Sequence, residues 1–162
     1  MKIISHPSAS ALSEADWASL DHHNDPFTSG AFLRIAEKVG AADTALGWQA
    51  QHLALHDETA PQGDQLLGLL PLYLRTHSFG DFSHDWQWAT AWQRAGLAYY
   101  PKLVSGVPFT PSPGPRLLVR QGIARSPVVQ ALIEGAIHVA RTQEVSSWQC
   151  LFVDNADREA LA

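Results

Sequence analysis

The run Leu66 to Arg75, L-L-G-L-L-P-L-Y-L-R, constrains the fold more than any other segment, because a stretch of strand length and nearly pure apolar character carries Pro71 in its middle. Proline has no N–H for a ladder hydrogen bond, so a bulge or a sheet edge is expected there. Just upstream, Gln49 to Asp57 alternates Ala50, His52, Ala54 and His56 against Gln51, Leu53 and Leu55, the period of a half-buried strand. Between the two runs, Glu58 to Gln65 holds Pro61 and Gly63, the composition of a hairpin connection, so the runs are expected to pair antiparallel. No apolar run approaches the roughly 20 residues that a membrane helix requires.

Helical signals flank this hairpin. Ser13 caps a short helix with Asp16 in the capping-box position, and Trp17 and Leu20 share one face. The segment Ser29 to Val39 predicts a second helix that buries Phe32, Leu33, Ile35 and Ala36, with Gly40 as its stop. Ser126-Pro127 suits an N-cap followed by the first helical position, and this helix runs to about Gln143 with Val129, Leu132, Ile133, Ala136, Ile137 and Ala140 inward. Met1 to Pro7 reads as a short strand or tail, and Arg116 to Val119 and Trp148 to Val153 read as strands. With no internal repeat, the pattern fits the α/β (α+β) class, a mixed and largely antiparallel sheet flanked by helices.

The segment Arg75 to Leu118 has the least ordinary composition. It holds Trp86, Trp88 and Trp92, the adjacent Tyr99 and Tyr100, the pair His84-Asp85, and Pro111, Pro113 and Pro115 alternating with small residues. Trp86 to Ala95 reads as a short helix with Trp88, Ala91, Trp92 and Ala95 at helical spacing. Amphipathic rings suit pocket walls. On composition alone, an irregular buried segment whose rings fill core space is the simpler account.

The words H-S-F-G-D-F, D-W-Q-W-A, A-G-L-A-Y-Y-P-K-L and V-P-F-T-P-S-P-G-P-R-L-L resemble, in the same order, linked motifs of the FemAB-like family of predicted N-acyltransferases. That bacterial group is named after peptidoglycan-bridge aminoacyltransferases. Asp25-Pro26-Phe27 with Phe32-Leu33, the pair Gly47-Trp48 and G-L-L-P-L-Y from Gly68 to Tyr73 extend the resemblance, which weakens after Val119. The chain departs from the family words at Arg75, Phe79, Asp81 and Ser83-His84, where members tend to have Lys, Tyr, Glu and bulky apolar residues.

The resemblance implies an acyl-CoA N-acyltransferase-like fold. It also implies transfer of an acyl or aminoacyl group to an amine, from a small-molecule donor such as a coenzyme A thioester or from a charged tRNA, and the lack of an activated nucleophile suits transfer without a covalent intermediate. Family members are built of two related halves, and here the chain stops about one turn into a helix after Asp154. Residues 1–162 therefore read as a single acyltransferase-like domain, the first half of a longer protein whose partner is the missing carboxy-terminal half. An uncovered apolar face, a homodimer and little turnover by the isolated chain are the corresponding expectations.

Tyr99, Tyr100, Lys102 and Asp85 are the candidate catalytic residues. The resemblance falls on Tyr99-Tyr100-Pro101-Lys102, and their hydroxyls and ammonium can orient substrate or move a proton. Tyr73 offers the same chemistry. His84 beside Asp85 reads either as a base with an acidic neighbour or as a surface imidazole paired by chance. Tyr99, Tyr100 and Lys102 are expected to share a concavity with Trp86 or Trp88. The loop R-Q-G-I-A-R-S, Arg120 to Ser126, lies where Gcn5-related acetyltransferases place a glycine-containing loop for the cofactor pyrophosphate. Orphan N–H groups and the helix dipole attract anions there. Arg120, Gly122, Ala124, Arg125 and Ser126 are thus candidates for a coenzyme A thioester, beside the plain reading of a strand-to-helix turn.

A formal charge of -5 with no basic run argues against a nucleic-acid surface built by this chain. The single Cys150 excludes an internal disulfide and reads as an inert core thiol, and with no signal-like start the cytoplasm is the default location. His52 and His56 stand on one strand face about 13 Å apart, too far to share a metal. No metal is expected, since H-E-x-x-H and C-x-x-C are absent. G-x-S-x-G is absent too. The rival to a transferase is a noncatalytic binding or scaffold module that supports a catalytic second half; a hydrolase built on Cys150 ranks last.

Overall fold

The computed structural model describes residues 1–82 and 85–162. In chain order its strands and α-helices are β1 (Lys2–His6), α1 (Glu14–Ser19), α2 (Gly30–Lys38), β2 (Trp48–Ala50), β3 (His52–His56), β4 (Leu66–Leu70), β5 (Tyr73–Arg75), α3 (Trp86–Arg94), β6 (Lys102–Ser105), β7 (Leu118–Val119), α4 (Arg125–Thr142), β8 (Trp148–Cys150) and α5 (Asn155–Leu161). They form two four-stranded sheets, one ordered β1-β3-β4-β7 and the other β2-β5-β6-β8. Every pairing is antiparallel except that of β6 with β8. The chain is thus α/β (α+β), with two mostly antiparallel sheets flanked by helices, consistent with an acyltransferase-like fold.

Each of the two long strands expected from the sequence divides in the middle, which is a correction with a clear cause. β4 ends before Pro71, which has no N–H, and β5 begins after Leu72 in the other sheet. The Leu72 amide leaves the ladder and donates to His52 Nδ1 at 3.1 Å, while the Leu72 carbonyl accepts from Gln51 N at 2.8 Å. Gln51 is the matching break between β2 and β3. Both polar groups of the bend are therefore satisfied, as buried backbone requires. Because His52 Nδ1 accepts, its proton sits on Nε2, which faces Glu37 Oε1 at 2.7 Å. His52 is a buried structural link between the sheets and α2.

The first sheet is covered on both faces. Leu53, Leu55, Leu70 and Val119 pack with Val128, Val129, Leu132 and Ala136 of α4, while Ala54, Leu66, Leu69 and Leu118 pack with Trp17 and Leu33 from α1 and α2. The alternation of Leu53 and Leu55 against Ala54 is the period of a strand buried on both sides. α4 approaches so closely at Gly68 that a Cβ there would lie 2.5 Å from Val128 Cγ1. The capping box of Ser13 and Asp16 forms as read from the sequence. Some inward positions differ: Ile35 of α2 and Ile137 of α4 are exposed, and Val128 of α4 is buried. The N-cap of α4 is Ala124 rather than Ser126, which lies within the first turn.

Candidate functional site

Pairing of β5 with β6 sets Arg75 opposite Lys102, and pairing of β2 with β5 sets Trp48 opposite Arg75. Two cations directly opposed across a ladder repel each other. The loop between β5 and α3 relieves this by returning two carboxylates. Arg75 Nη2 donates to Asp81 Oδ2 at 3.0 Å, and Lys102 Nζ donates to Asp85 Oδ2 at 2.5 Å. All four side chains are almost wholly buried, and the Arg75 guanidinium lies 3.8 Å from the Trp48 ring centroid. Two of the positions where the chain departs from the family words, Arg75 and Asp81, are thus partners of one another.

Lys102 has all three of its N–H donors engaged: besides Asp85 it reaches Tyr99 OH at 3.0 Å and Gln149 Oε1 at 3.0 Å. Asp85 in turn accepts from Tyr100 OH at 2.7 Å, from Tyr99 OH at 3.2 Å and from Ser78 Oγ. Asp85 occupies the N-cap position of α3 yet makes no capping hydrogen bond. A capping Asp contributes about 0.5–2 kcal/mol to a helix, so this carboxylate serves Lys102 at the expense of α3.

Burial alone would push the Asp85 carboxyl up, but the hydrogen bonds from Lys102, Ser78 and Tyr100, with the Lys102 charge, prevail and hold it at about 2. Asp85 is therefore anionic at neutral pH and a poor proton acceptor. Burial raises the Tyr100 hydroxyl above its ordinary value, and the Asp85 charge raises it further.

These groups line a cavity of about 420 Å³ whose apolar walls are Trp48, Val104, Leu151 and the α3 rings Trp88 and Trp92. The expected helix forms over Trp86–Arg94, and it buries none of its residues. Trp92 is half-buried, edge-on to Tyr99 at 5.6 Å, and Trp88 is 66% exposed at the cavity wall. An amphipathic helix that walls a cavity has no core to face.

Of the residues singled out by sequence, Asp85, Tyr99, Lys102 and Trp88 line this cavity, and Tyr100 joins them through Asp85. Trp86 is exposed and is not among the lining residues, and His84 lies outside the described residues. Tyr73 is buried edge-on to Trp48 and His52, with its hydroxyl raised well above its ordinary value by burial. It does not line the cavity. Cys150 is half-buried on β8, its thiol pushed up to about 12 by burial.

The loop before α4 borders a different depression, between α4 and α5. Arg125 donates to the fully buried Asp157 carboxylate and to Leu117 O at 2.9 Å, while Arg120 pairs with Asp64 at 2.5 Å. Gly122 takes a left-handed φ of 81°, Ala124 caps α4 without a side-chain hydrogen bond, and Ser126 is exposed. Both guanidinium groups pair with carboxylates of the chain, Arg120 with the exposed Asp64 and Arg125 with the buried Asp157.

Sequence reasoning missed Arg75, Asp81, Trp48, Ser78 and Gln149. A signal existed for Arg75, a lone cation closing an apolar strand, since such a charge needs a carboxylate when buried. Gln149 gave no signal: β6 and β8 bring it to Lys102 across 47 residues.

Among the described residues, no group of three or more His, Cys, Asp or Glu side chains is placed to hold a metal, and no helix is long and apolar enough to cross a membrane. A FemAB-like family model, described as peptidoglycan biosynthesis/recognition, matches residues 8–162. No curated protein and no solved structure matches the chain.

Proposed function

The chain belongs to the FemAB-like family, and we propose that its cavity around Lys102 and Asp85 serves N-acyl transfer to an amine. The observation that carries this reading is a buried ammonium held by three oxygen acceptors, Asp85, Tyr99 and Gln149, on the wall of a 420 Å³ cavity in a chain of that family. In the reaction the amine lone pair attacks the carbonyl carbon of an activated ester or thioester. The carbonyl oxygen gains negative charge, the bond to the leaving group breaks, and the amine proton departs with that group. Acyl donor and amine thus give an amide and a protonated leaving group.

Lys102 supplies the stabilising charge. The developing oxyanion takes over the N–H now donated to the neutral Gln149, while Asp85 and Tyr99, which are bonded to each other as well, keep the ammonium in place. The positive charge is held in place before the reaction, so the only rearrangement is the exchange of one hydrogen bond from Gln149 to the oxyanion. Asp85, held at about 2, positions Lys102 rather than accepting the amine proton. Trp88 and Trp92 supply apolar walls that orient the reactants.

A second reading, a recognition module without chemistry, is favoured by the saturation of Lys102, since all three of its donors already have partners. Incubation of the purified chain with an aminoacyl thioester and an amine, with amide formation followed by mass spectrometry, separates the two. Amide formed above the uncatalysed rate supports transfer. Saturable binding of the amine with no amide formed supports recognition.

A further inference from the structure

An ammonium group only donates, so the Gln149 amide atom that faces Lys102 Nζ at 3.0 Å is the oxygen. The nitrogen end of the same amide reaches Ser147 Oγ at 3.4 Å, which favours that orientation. Parallel pairing of β6 with β8 sets Gln149 opposite Val104, two residues from Lys102 on the same strand face, and all three side chains line the cavity. When an oxyanion takes the Lys102 N–H, Gln149 Oε1 is left without its donor. The neighbouring acceptors are already committed. Asp85 receives Ser78 and Tyr100 on Oδ1 and Tyr99 and Lys102 on Oδ2, which fills its lone-pair sites. Tyr99 OH is held at both ends, donating to Asp85 and accepting from Lys102, and Asp81 Oδ1 is buried within the protein. Of the side-chain acceptors that line the cavity, Gln149 Oε1 is thus the one that the exchange opens.

We propose that Gln149 is a catalytic residue, the acceptor that holds the attacking amine: its Oε1, released by Lys102, takes an N–H of the amine and turns the nitrogen lone pair toward the carbonyl carbon. This deepens the transfer reading and rests on it. As the C–N bond forms, the carbonyl π pair moves to oxygen and is met by Lys102, while the nitrogen becomes positive and its N–H bond to Gln149 strengthens. The adduct therefore carries an oxygen anion and an N–H on one carbon, the complement of a Lys102 donor beside a Gln149 acceptor. A carboxamide oxygen is too weak a base to remove the proton, which departs with the leaving group as the bond to that group breaks. One hydrogen bond of the resting site, from Lys102 to Gln149, is exchanged for two bonds to the adduct, so the pair favours the transition state over the empty site.

The test measures binding of two stable mimics of the adduct, so a chain that forms no amide can still pass it and a chain that transfers can still fail it. The anions of N-butyl propylphosphonamidate and of monobutyl propylphosphonate are titrated by calorimetry into the purified chain. Both present oxygen anions on a tetrahedral centre, and the second has oxygen where the first has N–H. The phosphonamidate is expected to bind about tenfold or more tightly, because a site that bonds an N–H rejects the analogue lacking it. Gln149→Leu is expected to bind the two alike, within about twofold, for the same reason. The phosphonate is expected to bind this variant at least as tightly as it binds the unmodified chain, since Lys102 then has a free N–H to give; a variant that had merely lost its structure would bind neither. Equal binding of the two mimics by the unmodified chain, or no binding of either at concentrations on the order of tens of millimolar, overturns the inference without recourse to the variant. A preference that survives in a folded Gln149→Leu overturns it as well.

Discussion

The carboxylate of Asp85 sits at the N-cap of α3 and yet accepts from Lys102 Nζ, 17 residues away, at 2.5 Å. Both side chains are buried, so neither charge has water as an alternative partner. Removing one leaves the other uncompensated, which for a buried pair costs about 3–5 kcal/mol. Asp85→Asn is therefore expected to lower the unfolding free energy at pH 7 by an amount in that range, measured by urea titration.

The same pair sets an acid limb on stability. The Asp85 carboxyl falls from an ordinary 3.8 to about 2 on folding, so the folded state favours its ionised form. The contribution is present above pH 4 and is lost as pH falls from about 4 to about 2. Unfolding free energy plotted against pH is expected to slope less steeply over that window in Asp85→Asn than in the unmodified protein. Equal slopes would mean that Asp85 titrates alike in both states.

Arg125 is assigned here to structure. Its guanidinium meets Asp157, a fully buried carboxylate that also accepts from Arg116 N at 2.5 Å and Leu117 N at 3.0 Å. Asp157→Ala strips all three donors of their acceptor and is expected to destabilise the chain by roughly 3–5 kcal/mol. A loss below about 1 kcal/mol in a urea titration would free Arg125 for another role.

Cys150, with its thiol pushed up to about 12, carries almost no thiolate near neutral pH. Alkylation by iodoacetamide at pH 7.5 is expected to be slow in the folded chain and fast in urea. Cys150→Ser is expected to leave any transfer activity unchanged. Loss of activity with intact folding would restore the nucleophilic reading of this residue.

Much of the fold is legible in sequence because its signals are local. The Ser13–Asp16 box joins residues three apart in sequence, and the break at Pro71 follows from a missing N–H. The division into two sheets is not legible, since it depends on Leu72 finding His52, 20 residues away. Ser126-Pro127 points to a helix start two residues late; Arg125 lies inside the helix, its guanidinium held by Leu117 O and Asp157. In the site, Tyr99, Tyr100 and Lys102 are close in sequence and stay together in space. Arg75 and Asp81 stand out in the sequence only as departures from the family words, and their pairing is not legible because a charge looks like surface until the strand beneath it proves to be buried. Trp88 and Trp92 follow helical spacing but face a cavity, and periodicity alone does not distinguish a cavity from a core.

The role of Lys102 is tested by single-turnover amide formation in Lys102→Met, which keeps the length of the chain and removes the charge. With acyl donor and amine both saturating, the rate is expected to fall about 10²–10³-fold, the effect of losing one oxyanion donor, with half-saturating amine concentration changed by less than about threefold. Circular dichroism on the same sample establishes that the variant is folded. A folded Lys102→Met that forms amide at the unmodified rate would contradict the assignment of Lys102 as the charge that stabilises the oxyanion.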